Sequence, residues 1–243
     1  MSTINLNKSI VTYFRDFIGN KNVLPFLTNI ASNYLSGDSS NKDMTNVLYG
    51  LLIVQYYQSK DQFELDLNSL ELISFDANSS VFKDIQKSML RVNLCENNLV
   101  KCPHFGRDWK ILTKLDLSNN NFGAVEKDLF TLPAIRELKL GHNNLKMLPR
   151  DLTFSPTLMV LALNNNQLTS LPKELEKSSI NNINLKQNKF ENVPQCLCNM
   201  KWLKILDLSF NKNILEFPLE FGKLSLEIML ILNGMQRNVS ATV

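Results

Sequence analysis

Histidine and glycine are scarce in this chain, with two histidines and eight glycines among 243 residues. Nucleophilic catalysis needs a nucleophile with a base in hydrogen-bond reach, and only His104 and His142 could be a histidine base. No serine, cysteine or carboxylate is clearly assigned beside either one. No GxGxxG or GxxxxGK[ST] segment occurs, so the usual backbone cradles for nucleotide phosphates are missing. Asp and Glu do not cluster at metal-site spacing. The expectation is a chain with no catalytic residue, no metal and no cofactor.

An excess of one charge is also missing. Lys and Arg number 26 and Asp and Glu 23, a net charge of +3. No basic or acidic tail is present, so attraction to nucleic acid or to an anionic membrane has little electrostatic support. No apolar run approaches the ~18 residues of a membrane-spanning helix; the best stretch, Leu226–Leu232, is far too short. The opening MSTINLNKSIVTYFRDF lacks the apolar centre of a secretory signal. The four cysteines, Cys95, Cys102, Cys196 and Cys198, form two separated pairs with no histidine cluster nearby. Free thiols in a reducing compartment are expected, ahead of a zinc site. These absences point to the cytoplasm, with the nucleus open.

What the chain does have is repetition. Lines beginning at Met89, Leu112, Ile135, Leu158, Ile180, Leu203 and Leu226 follow at steps of 23, 23, 23, 22, 23 and 23 residues. Apolar residues recur at offsets 0, 3 and 5, as in Leu112, Leu115 and Leu117 or Leu158, Leu161 and Leu163. An asparagine recurs at offset 8: Asn97, Asn120, Asn143, Asn166, Asn188 and Asn211. A fixed period of this length marks stacked coils that bury a shared core. Alternation around offsets 3 and 5 predicts a short strand with one buried face. Each asparagine, with two donors and two acceptor lone pairs, is expected to satisfy turning backbone that water cannot reach. Pro103, Pro149, Pro172, Pro194 and Pro218 suit an extended opposite side, where no ladder donor is needed.

The pattern LxxLxLxxNxL resembles the leucine-rich-repeat family over about residues 67–232. The second halves, such as Leu148-Pro149 with Leu152 and Leu171-Pro172 with Leu175, look like the intracellular Ras-suppressor and plant Ras-group subclass. The resemblance implies an α/β repeat: a leucine-rich-repeat solenoid with a curved, parallel, concave β-sheet. It further implies a non-catalytic scaffold or adaptor in signalling, a monomer that binds a protein partner such as a small GTPase or a phosphatase subunit. The rival reading is the targeting or regulatory repeat domain of a larger enzyme, such as a phosphatase, a cyclase or a ubiquitin ligase. Nucleic-acid and membrane partners are not expected.

Three segments follow. Residues 1–60 lack the repeat and carry helical apolar stripes, such as Leu24, Leu27, Ile30, Ala31, Tyr34 and Leu35. They read as an N-terminal α-helical cap or as a separate docking module. Residues 61–88 read as a degenerate first coil, with Leu67, Leu70 and Leu72 at offsets 0, 3 and 5 and Phe75 in place of the asparagine. Residues 89–243 carry the repeats and a C-terminal cap.

Side chains alternate across a strand, so offsets 2 and 4, with 1 and 7 beside them, should face outward in vertical columns. The candidate partner-binding residues are Arg91, Lys114, Arg136 and Lys139, as basic groups that steer an acidic partner, and Met159, Val160, Ile205 and Phe210, as apolar contacts.

Overall fold

A computed structural model describes residues 64–69, 72–75, 77–78, 86–87, 89–223, 229–234 and 240–241. The chain divides into two compact units, Met1–Leu65 and Asp66–Val243. The expected helices of residues 1–60 lie outside the described residues.

Three-residue strands recur once per coil: β1 (Glu64–Asp66), β2 (Arg91–Asn93), β3 (Lys114–Asp116), β4 (Glu137–Lys139), β5 (Val160–Ala162), β6 (Asn182–Asn184), β7 (Ile205–Asp207) and β9 (Met229–Ile231). They form one open sheet in chain order, with β2 to β7 and then β9 paired parallel. Two shorter strands, β8 (Glu216–Phe217) and β10 (Ser240–Ala241), pair with each other elsewhere on the coil. Each strand is short because only its central residue faces the core. Val92, Leu115, Leu138, Leu161, Ile183 and Leu206 are buried side by side. The second apolar column, Leu94, Leu117, Leu140, Leu163, Leu185 and Leu208, is sealed completely.

Opposite the sheet the chain is mostly extended, with single helical turns. The 3-10 segments Lys173–Lys177 and Leu219–Lys223 flank a one-turn helix, α1 (Gln195–Cys198). Pro172 and Pro194 stand at the N-caps of the first 3-10 segment and of α1, with φ of −67° and −60°, values their rings impose anyway. Strands stack at about 4.8 Å and helical turns are wider, so the array curves toward its sheet, whose outer face is concave.

The asparagine column holds the turns together. Asn166 Oδ1 accepts the Leu145 N–H at 3.0 Å, and its Nδ2 donates to the carbonyls of Leu140 (2.9 Å), Leu163 (3.1 Å) and Asn164 (3.3 Å). Asn97, Asn120, Asn143 and Asn188 repeat this set. Asn211 differs by accepting the Asn188 N–H. The residue before each asparagine is in the left-handed region: Glu96, Asn119, His142, Asn165, Gln187 and Phe210 have φ between 53° and 59°. Beside this turn, Asn93, Asp116, Asn184 and Asp207 accept the N–H two residues on.

Two expected registers are corrected. In the first coil, Leu67 N–H donates to the Asn93 carbonyl as Leu94 N–H does to Asp116. Leu72 N–H reaches Asn97 Oδ1 as Leu99 N–H reaches Asn120 Oδ1. Leu65 and Leu67, both buried, are therefore the residues at offsets 3 and 5, and Leu72 takes the place of Leu99 at offset 10 and not offset 5. Phe75 therefore does not stand for the asparagine, since it lies three residues beyond Leu72, which is already past that position. The Asp66 carboxylate fixes this register, since its Oδ1 accepts the Asn68 N–H at 3.2 Å and makes the same turn as Asp116. In the last coil, Ile205, Leu206 and Asp207 pair with Met229, Leu230 and Ile231. The line starts one residue later than Leu226, and Leu230, not Met229, continues the core column. The extra residue lies in Asn211-Lys212-Asn213-Ile214, where three steps separate the asparagine from the next buried residue instead of two.

Candidate functional site

The concave sheet face is where exposed side chains stand on hydrogen-bonded strand backbone. Its columns run Arg91, Lys114, Glu137, Val160, Asn182, Ile205, Met229, and Asn93, Asp116, Lys139, Ala162, Asn184, Asp207, Ile231. Along the array these columns change character three times.

The first part, β2–β4, is charged and self-paired. Lys114 Nζ lies 2.9 Å from Glu137 Oε2, and Lys139 Nζ lies 3.1 Å from Asp116 Oδ2 and 3.5 Å from Glu137 Oε1. Partial burial acts to push the Glu137 carboxyl up, but the two lysines overcome it and hold it below its ordinary value. Burial likewise works against the Lys139 ammonium, and Asp116 with Glu137 raises it above its ordinary value. Two of the four expected steering cations are thus neutralised within the sheet. Arg136, in the next column, is exposed and forms no ion pair among the described residues.

A pH dependence follows. Glu137 is depressed in the folded chain, so its contribution is present above its unfolded value and lost as pH falls through the folded one. Glu137→Gln is expected to lower stability at pH 7 by less than about 1 kcal/mol, discounted because the lysines are half exposed. The gap to the parent should close below pH 4.5, the ordinary carboxyl value. Melting curves from about pH 3 to about pH 7 check this; a gap that persists at the acid end contradicts it.

The second part is apolar. Met159 is 44% exposed, and Val160 beside it is half-buried. The third, β6, is an amide stripe of Asn181, Asn182 and Asn184. Asn184 Oδ1 accepts the Lys186 N–H at 3.0 Å. The fourth part, β7 and β9, is apolar again, with Ile205 beside Met229, which is 60% exposed. Phe210 stands apart from Met159, on the turn after β7. Its ring lies against Gly234, whose added Cβ would sit 2.6 Å from the Phe210 Cδ1, and Lys186 Nζ is 5.1 Å from the ring centroid.

The structure therefore places all eight candidates on this face or its rim, but as two groups. Arg91, Lys114, Arg136 and Lys139 lie at the charged end, adjoining Met159 and Val160. Ile205 and Phe210 lie beyond the amide stripe. Sequence reasoning left out Met229, which the one-residue register error had put in the core. It also left out Lys186, whose offset 6 it had not matched with Phe210.

The thiols offer no reactive site. All four are free. Burial pushes Cys102 and Cys196 up to about 12 and raises Cys95 and Cys198, which keeps them protonated at neutral pH. Cys196, Leu197 and Cys198 are all buried in α1. His104 Nδ1 lies 3.8 Å from Asp128 Oδ2, both exposed. Among the described residues no group of acids, histidines and cysteines could hold a metal, and no helix is long and apolar enough to cross a membrane.

Coils of 22 to 24 residues from β2 to β9, a parallel strand per coil and an asparagine ladder define the class of leucine-rich-repeat solenoids. Residues 110–154 and 156–212 match the leucine rich repeat family model. No curated protein matches the chain in sequence. Among solved structures, a leucine-rich-repeat protein of Leptospira interrogans is similar with a TM-score of 0.58 and 20% identity, covering 78% of this chain and 59% of that one. The leucine-rich repeat domain of the type III effector XopL is similar with a TM-score of 0.62 and 16% identity, over 96% of this chain and 80% of that one. PEPR1–AtPEP1 is similar with a TM-score of 0.51 and 28% identity, over 60% of this chain and 21% of that one. This chain thus spans about three-fifths of the Leptospira structure and about a fifth of the PEPR1 one. Leucine-rich-repeat domains generally mediate protein–protein interaction and are typically non-catalytic.

Proposed function

We propose that this chain is a non-catalytic binding module, an adaptor or scaffold that holds a partner protein on its concave sheet face. One observation carries the reading: Met159, Phe210 and Met229 are 44%, 41% and 60% exposed on the sheet face or its rim. Large apolar side chains exposed on a sheet face favour leaving water when a complementary surface arrives. The Ras-suppressor-like second halves support a small GTPase or phosphatase subunit as partner and a cytoplasmic setting. Residues 1–60 then serve as the N-terminal cap and 61–88 as the first coil.

The test uses Met159→Glu with Met229→Glu. Lys139→Glu is unsuitable, because it would set a third carboxylate against Asp116 and Glu137. Capture from cell extract, read by mass spectrometry, should lose the partner in the double variant, while the melting temperature stays within about 2 °C of the parent. Retained capture, together with loss on changing residues 1–60, would move the binding site to the N-terminal segment.

A second reading, a targeting domain of a larger enzyme, is favoured by the lengths of the relatives and by XopL, in which the matched structure is one domain of an effector. The length of the native open reading frame decides between the two.

A further inference from the structure

Resting on the reading of the sheet face as a protein-binding surface, we infer that its β5–β7 region takes an acidic, extended peptide in the polyproline II conformation, with apolar residues at positions i and i+3. Three observations converge on this ligand: the spacing of the apolar sites, the unused amides between them and the charge around them.

Val160, Asn182 and Ile205 stand in register on three successive strands. The two apolar sites are therefore two strand spacings apart, about 9.6 Å. A peptide laid across the strands must match that distance. In a β-strand, same-face side chains at i and i+2 are only about 6.8 Å apart, which leaves the second one over the amide stripe. A polyproline II segment has three residues per turn and rises about 3.1 Å per residue, so i and i+3 align on one side about 9.3 Å apart. The first apolar residue then meets Met159 and Val160, and the second meets Ile205 with Met229 next to it.

Between the anchors lies β6. Asn182 makes no side-chain hydrogen bond within the described residues, and Asn184 uses its Oδ1 but not its Nδ2. A polyproline II backbone has no internal hydrogen bonds, so its carbonyls are free to accept from both amides.

The charge around the band is complementary to an acidic peptide. Arg136 precedes Met159 in its column, Lys204 adjoins Ile205, and Lys186 follows β6; none is in an ion pair among the described residues. The carboxylates at the charged end, Asp116 and Glu137, are already engaged by Lys114 and Lys139. On β5–β7 the one carboxylate is Asp207, whose Oδ1 is held by the Ser209 N–H and hydroxyl. Asp207 keeps its negative charge, but Lys204 and Lys186 outnumber it on that flank and Arg136 stands on the other, so an acid just outside each apolar residue completes the match.

The test titrates the full chain, labelled with nitrogen-15, with the capped peptide Glu-Leu-Pro-Pro-Leu-Glu. The comparison peptides are Glu-Leu-Pro-Leu-Glu, the Lys-flanked analogue and the Gln-flanked analogue. The first peptide should shift the amides of Met159, Val160, Asn182, Asn184 and Ile205 and bind at least about tenfold more tightly than the shortened or Lys-flanked forms. Arg136→Gln with Lys204→Gln should remove about that tenfold for the acidic peptide and leave the Gln-flanked one unchanged. Equal affinity for both spacings, or no binding, overturns the inference. If partner capture still depends on Met159 and Met229 in that case, the binding-face reading stands and only the peptide chemistry fails; if capture is also insensitive, both fail. A dimer in sedimentation that Met159→Glu with Met229→Glu splits would make the occupant a second copy and would equally overturn the peptide.

Discussion

Asn166→Ala is expected to destabilise the fold by about 3–5 kcal/mol, because it orphans several buried backbone groups at once. The Leu145 N–H loses its acceptor, and the carbonyls of Leu140 and Leu163 lose a donor. No water reaches this part of the turn readily, since Asn166 is 7% exposed and the leucines around it are sealed. The neighbouring residue is the control. Asn165 has φ +54°, a conformation that costs a residue with a Cβ about 1 kcal/mol or more and that asparagine tolerates better than alanine. Asn165→Ala should therefore cost about 1 kcal/mol, and Asn165→Gly close to nothing. Denaturant melts of the three variants check the order. Equal losses for Asn166→Ala and Asn165→Ala would mean that the ladder of amides is not what holds the coils in register.

Leu161→Ala is expected to cost about 3–4 kcal/mol. Its side chain is fully buried between Leu138 and Ile183 on the adjoining strands, and a middle coil cannot collapse into the space without breaking both neighbours. Leu230 occupies the same column on β9 but is 37% exposed, so Leu230→Ala should cost only about 1 kcal/mol. Met229→Ala should change stability by less than about 0.5 kcal/mol, because its side chain faces out. A larger loss at Met229 than at Leu230 would restore the register that starts the last line at Leu226.

The corrected registers show where one-dimensional pattern matching stops. In the middle of the array, leucines at offsets 0, 3 and 5 with an asparagine at 8 leave a single solution, and the observed strands β2–β7 lie where that solution puts them. At the start, Leu65, Leu67, Leu70 and Leu72 satisfy two solutions with the same spacing. Hydrophobicity alone is degenerate there, and the polar turn decides. Asp66-Leu67-Asn68-Ser69 parallels Asp116-Leu117-Ser118-Asn119, so the signal was present, in the turn rather than in the core. At the end, the extra residue after Asn211 moved every later offset by one, and it too left a trace: Phe217-Pro218 stands one position further from Leu203 than Leu148-Pro149 does from Ile135.

The candidate face was legible in part for a related reason. Which residues point outward follows from alternation along one strand, which is local, and Arg91, Lys114, Met159, Val160 and Ile205 were readable on that basis. What those side chains do to one another is not local. Lys139 reads as a free steering cation until the sheet brings Asp116 from the preceding strand within 3.1 Å of it. Phe210 reads as an isolated contact until the final coil lays Gly234 against its ring, which leaves it 41% exposed.

By itself, the sequence determined the repeat length, the buried columns and the asparagine ladder, because each depends on spacing within one coil. Only the tertiary structure decided which charges remain unpaired and that an amide stripe separates two apolar sites. Those properties belong to side chains about 23 residues apart in the chain and about 4.8 Å apart across the sheet, and their contact exists only once the coils have stacked.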